Sequence, residues 1–72
     1  MKKAVLTLIV GSNIRKTRKA KSLTIKGLAF IADIEYTQVS RIERGKINTS
    51  IYQLYIISRS LEIHVSALFE GV

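Results

Sequence analysis

The chain has no cysteine, no proline, a single histidine, only five acidic residues, and four glycines scattered singly over 72 positions. Each shortage excludes something. Without cysteine there is no disulfide, no cysteine-ligated zinc and no thiol nucleophile. His64 alone cannot hold a metal, and no nucleophile-and-acid arrangement accompanies it, so it reads as a surface or capping histidine. Without proline, and with isolated glycines, there is no linker, no low-complexity tract and no glycine-rich phosphate loop. No internal repeat is present, and the longest apolar run is too short to span a bilayer. Together these argue against an enzyme, a metal site, a cofactor or a small-molecule ligand.

What remains is a chain long enough for one domain, residues 1–72, with one core and modest stability to spare. At 47% hydrophobic residues, it carries more apolar surface than one small helical core consumes. Charge is uneven. Residues 1–26 hold eight of the twelve lysines and arginines and no acid, while residues 27–72 hold four bases and all five acids. A one-sided basic field suits an anionic partner, either nucleic acid or a membrane surface.

The most informative stretch is Thr24 to Gly45, TIKGLAFIADIEYTQVSRIERG. The pattern predicts a helix from about Thr24 to Ala32, a turn at Asp33-Ile34-Glu35, and a helix over about 36–44 ended by a left-handed Gly45. Leu28, Ala29, Ile34, Val39 and Ile42 are the positions two crossed helices would press together. A short turn between helices packed this way is a helix-turn-helix, whose second helix enters the DNA major groove. On that helix Val39 and Ile42 face inward while Thr37, Ser40, Arg41 and Arg44 face outward. The outward hydroxyls and guanidinium groups are donors suited to base edges and phosphates. Glu43 follows Val39 by one turn and falls beside the core, so it needs a cationic partner.

The N-terminal segment begins with Lys2 and Lys3 before AVLTLIVG, which resembles a minimal export signal. The run is short for that role, and no small-residue cleavage site follows. Leu6, Val10, Ile14 and Thr17 instead fall on one face of a helix predicted from about Lys3 to Lys21. Arg18 lies at the edge of that face, and its planar fork makes it the natural partner for Glu43, a structural ion pair rather than a DNA contact.

Beyond Gly45, Lys46 and Asn48 suit a phosphate backbone. Ser50 with Gln53 forms a capping-box pattern opening a fourth helix, with Ile51, Leu54, Ile57, Ser58 and Leu61 expected to face the core. Tyr52 and Ile56 stand on the opposite face and need cover. A last helix is expected from His64, with Val65, Ala67, Leu68 and Phe69. Tyr52, Ile56, Phe69 and Val72 are the expected homodimer surface, with Val5, Leu8 and Ile9 a second cluster off the core. Dimerisation also follows from reading length, since two recognition helices related by a two-fold axis read half-sites about 34 Å apart.

Ile14-Arg15, Arg18-Lys19, Leu23, Leu28-Ala29, Ile34 and above all Val39-Ser40-Arg41-Ile42-Glu43-Arg44-Gly45 resemble the Cro/cI-type (xenobiotic-response-element, XRE) helix-turn-helix family. The similarity runs from about Val10 to Phe69. It implies an all-α, five-helix, lambda-repressor-like DNA-binding domain with its helix-turn-helix at about 24–44, usually a dimeric regulator or repressor in bacteria or their phages. It further implies base contacts from Tyr36, Thr37, Gln38 and Arg41, and phosphate contacts from Arg44, Lys46 and Asn48, and it agrees with the Arg18–Glu43 pair. The chain departs from the family at Ile25, where glutamine is common. That leaves the N–H groups of the helix start at Thr24, Ile25 and Lys26 to meet a phosphate. It also departs at Asp33, where glycine is common, and at Glu35, a poorer cap than serine or threonine.

The expected function is therefore sequence-specific binding of double-stranded DNA by a cytoplasmic homodimer on a pseudo-palindromic operator. Two other classes fit parts of the pattern. An antitoxin-like or other protein-interaction module would use the apolar C-terminal face. A membrane-surface protein would use the basic, apolar N-terminal helix.

Overall fold

A computed structural model describes all residues 1–72. It contains four α-helices, α1 (Lys3–Ala20), α2 (Ile25–Ala32), α3 (Tyr36–Glu43) and α4 (Ile51–Ser60), followed by a 3-10 helix at Val65–Phe69, with no strands. The architecture is all-α, as the periodicity predicted. The expected fifth α-helix is instead this single 3-10 stretch. Five residues cannot establish the repeated i to i−4 bonding that makes an α-helix cooperative.

Side-chain caps mark two of the four α-helix starts. Thr24 accepts a hydrogen bond from the Gly27 N–H at 2.9 Å, and Ser50 accepts one from the Gln53 N–H at 3.1 Å. Glu35 makes no side-chain capping bond at the start of α3. The helix ends share one device. The N–H groups of Leu23, Ile34, Lys46 and Ile63 reach back to the carbonyls of Arg18, Ala29, Arg41 and Ser58, at 2.9–3.1 Å. These are Schellman-type closures, each requiring a left-handed residue. Only one of the four is glycine: the residues are Ser22, Asp33, Gly45 and Glu62, with φ of 58°, 56°, 69° and 58°.

The core is one cluster drawn from every helix: Val10 and Ile14, Leu28 and Ala29, Val39 and Ile42, Leu54, Ile57 and Leu61, and Leu68 from the 3-10 helix. Leu6, Leu23, Ile25 and Ile34 pack against its edge. Ile51 does not join it. Predicted to face inward, it is 86% exposed, and Leu54, one turn further on, is the first residue of α4 in the core. Gly11 is buried at the crossing of α1 and α3, where a Cβ would lie 2.3 Å from the Ile42 carbonyl oxygen. The absence of a side chain is what lets α1 approach the end of α3 this closely. Asn13, on another side of α1, donates from Nδ2 to the carbonyls of Leu68 and Glu70, both at 2.9 Å, fastening the C-terminal segment.

Candidate nucleic-acid interface

The inner side of α3 is fixed from three directions. Val39 and Ile42 are buried in the core, and Glu43 is buried against α1. Arg18 Nε donates to Glu43 Oε2 at 2.7 Å and its Nη2 to Oε1 at 3.0 Å, while Nη1 donates to the Leu23 carbonyl at 2.8 Å. Both carboxylate oxygens are thus engaged by one fork, and no buried side-chain nitrogen or oxygen in the chain lacks a partner. The hydrogen bond to Glu43 holds the Arg18 guanidinium above its ordinary pKa against the opposing effect of burial, with Coulomb attraction from Glu43 and Tyr36 adding to it. The pair spans α1 and α3, so it sets the position of α3 against the basic helix.

With the inner side locked, the outer side is open. Tyr36, Thr37 and Arg41 are exposed, Gln38 and Ser40 are half-buried, and Arg44 is exposed just past the helix end. Arg44 folds its Nε onto the Ser40 carbonyl at 3.3 Å. The Gly45 turn meets α1 as well: the Thr7 hydroxyl is shared between the Ala4 carbonyl at 3.1 Å and the Gly45 carbonyl at 3.3 Å, and Leu8 lies against Gly45 so closely that a Cβ there would fall 2.8 Å from Leu8 Cδ2. A shallow cleft lined by Lys3, Thr7, Lys46 and Asn48 adjoins that turn. Thus Lys3, which the sequence placed only in a general basic field, comes next to the two loop residues read as phosphate ligands. At the start of α2, Thr24 and Lys26 are exposed and Ile25 is half-buried. The Thr24 oxygen accepts from Gly27, which leaves its own hydroxyl hydrogen free to donate.

The C-terminal surface is separate. Tyr52, Phe69 and Val72 are exposed and Ile56 is half-buried. Tyr55 is also half-exposed and lines an open groove with Arg59, Glu62, Ile63, His64 and Val65. Phe30, 88% exposed on α2 beside Ile31, is an apolar feature that wheel reasoning missed, because attention to the inner stripe passes over what lies opposite. No group of three or more potential ligands could hold a metal ion, and no helix is long and apolar enough to cross a membrane.

A family model described as helix-turn-helix matches residues 14–68. The control protein C.MunI of Mycoplasma sp is 38% identical over 63 residues, covering 86% of this chain and 85% of that protein. Among solved structures, the restriction-modification controller protein C.AhdI from Aeromonas hydrophila superposes with a TM-score of 0.86 at 30% identity, covering 88% of this chain and 96% of the other. The restriction-modification controller C.Esp1396I, solved as a tetramer in complex with its natural 35 base-pair operator, gives a TM-score of 0.82 at 34% identity over 90% of this chain and 86% of its own.

Proposed function

The chain belongs to the helix-turn-helix family, of the Cro/cI (XRE) type, and from that premise we propose that it binds double-stranded DNA sequence-specifically as a small transcriptional regulator. In this reading α3 lies in the major groove and two copies occupy a pseudo-palindromic operator. The observation that carries it is the pairing of an immobilised inner face on α3 with an open outer face bearing Tyr36, Thr37 and Arg41. The likeness to restriction-modification controllers extends over nearly the whole chain and supports a sharper reading, that the regulated genes belong to such a system.

Binding proceeds by occupancy, without chemistry. The basic field of α1 and the loop after α3 draw the protein to the phosphates, a sequence-independent and salt-sensitive step. Arg44, Lys46 and Asn48, with the free N–H groups and hydroxyl at Thr24, Ile25 and Lys26, fix the register. Arg41 then offers its fork to guanine O6 and N7, Gln38 its amide to adenine, Thr37 a contact to a thymine methyl or a base edge, and Tyr36 a contact to thymine or a stack on sugar. Tyr52, Ile56, Phe69 and Val72 form the surface through which two copies pair, which gives the two-fold symmetry that paired half-sites require.

Selection of bound duplexes from a random pool tests this directly. Two inverted half-sites about one helical turn apart are the expected result. A pool that shows no enrichment, or enrichment without symmetry, contradicts the sequence-specific dimer.

A further inference from the structure

Gln53 is the residue expected to close the capping box with Ser50. Its backbone N–H does bond to Ser50 Oγ, but its side chain turns away from the cap and reaches α3. There Gln53 Oε1 accepts two hydrogen bonds, from Gln38 Nε2 at 3.1 Å and from Thr49 Oγ1 at 2.6 Å. All three side chains are half-buried. We propose that Gln53 and Thr49 hold the Gln38 amide in one orientation, so that they set base preference at one operator position although neither lies in the helix-turn-helix. The inference rests on the reading that α3 enters the major groove.

Gln38 is the third residue of α3, within the N-terminal part of a recognition helix that meets base edges. A free glutamine carries several rotamers and two amide orientations, and binding must freeze all but one. Here two neighbours tether the amide and narrow that choice. The Thr49 hydroxyl donates to Gln53 Oε1 at 2.6 Å, and the Gln38 amide nitrogen donates to the same oxygen at 3.1 Å. That oxygen only accepts, so it takes the N–H end of Gln38. What Gln38 has left for a base is its own Oε1 and a second N–H, an acceptor and a donor side by side. This is the complement of adenine N6–H and N7. The cap at Ser50 fixes the backbone from which the tether starts. Gln53 and Thr49 are therefore positioning residues for Gln38.

The test uses the full chain and the duplex obtained by selection, with every base pair of one half-site substituted in turn. Gln38→Ala should relax discrimination at one base pair. Gln53→Ala and Thr49→Val should relax discrimination at that same base pair by about fivefold, the lower end of what a bidentate contact supplies, with preferences elsewhere and the salt slope unchanged. The Gln38→Ala/Gln53→Ala double variant should discriminate no worse than Gln38→Ala alone. Gln53→Glu keeps an acceptor at the same place, so it should retain the base preference even as its charge lowers affinity for every sequence. Melting curves of each variant check that the fold is retained, and Thr49→Val carries the test if Gln53→Ala unfolds, full discrimination there overturning the inference. Full discrimination in Gln53→Ala, uniform weakening at all base pairs, effects that add to those of Gln38→Ala, or loss of the preference in folded Gln53→Glu would overturn the inference alone. A wild-type chain that selects no duplex overturns the DNA-binding reading and the inference with it.

Discussion

Replacing Gly11 with alanine sets two physical effects against each other with opposite signs. Gly11 lies in the interior of an 18-residue helix, where alanine is favoured over glycine by about 1 kcal/mol on propensity alone. The packing demands the reverse. A Cβ on Gly11 would sit 2.3 Å from the Ile42 carbonyl oxygen, 2.7 Å from that of Glu43 and 3.0 Å from the Glu43 carbonyl carbon. All are backbone atoms, so no rotamer change relieves the contact. The end of α3 must move off α1 by about 1 Å to reach ordinary contact distance. Overpacking of this kind costs typically about 1–3 kcal/mol, and a site walled by backbone belongs at the upper end. After the propensity gain, the net loss is about 2 kcal/mol. For a domain of this size that lowers the melting temperature by about 8–16 °C. Thermal unfolding by circular dichroism, at one fixed protein concentration because the proposed dimerisation would make the midpoint concentration-dependent, reads the effect. Urea titration with an unchanged slope assigns it to stability. A Gly11→Ala protein as stable as wild type, or more so, would refute the account of how α1 and α3 cross.

Arg18→Ala leaves the Glu43 carboxylate buried and unpaired and should cost about 3–5 kcal/mol in urea unfolding; Arg18→Met with Glu43→Leu should recover most of it. Because the folded pKa of Arg18 is raised, its contribution is intact below the unfolded arginine pKa and lost only as pH rises through the folded value. Stability should therefore show no arginine-linked loss through the neutral and mildly alkaline range. Arg41→Ala should cost about 1–3 kcal/mol on the selected operator and relax one base pair, whereas Lys46→Ala should weaken all sequences alike and lower the salt slope by about one. Equal weakening of every sequence by Arg41→Ala would make Arg41 a phosphate contact instead. Tyr52→Glu should shift sedimentation from dimer toward monomer, and no shift would remove Tyr52 from the pairing surface. Glu62→Gly should raise stability by up to about 1 kcal/mol, because a side chain at φ 58° pays a conformational cost that glycine does not.

The sequence made legible whatever is decided locally. Thr24 and Ser50 announce helix starts by their own hydrogen-bonding chemistry. Asp33 and Gly45 announce stops, and the step from Val39 to Glu43 places a carboxylate where Arg18 can meet it. What stayed hidden depends on neighbours distant in the chain. Gly11 reads as a weak helix former until α3 is laid across it, and Asn13 reads as plain polarity until the carbonyls of Leu68 and Glu70 arrive beneath it. Ser22 and Glu62 hide their left-handed turns because neither residue type advertises one. Ile51 carries the correct periodicity, but periodicity cannot tell where the core stops. In the candidate interface, the outward face of α3 was readable from the wheel. The tie from Gln38 to Gln53 was not, since it crosses between helices whose relative placement no local pattern specifies.

Gly11 and Asn13 are two positions apart on α1, one seating the end of α3 and the other gripping the C-terminal segment. A single stiff rod therefore joins the part that would read bases to the part that would join two copies. In the proposed dimer that rod sets the gauge between the two reading heads, while α3 holds the alphabet. Substitutions at Tyr52, Ile56, Phe69 and Val72 can then retune the spacing of tolerated half-sites without altering one letter of what each half-site says.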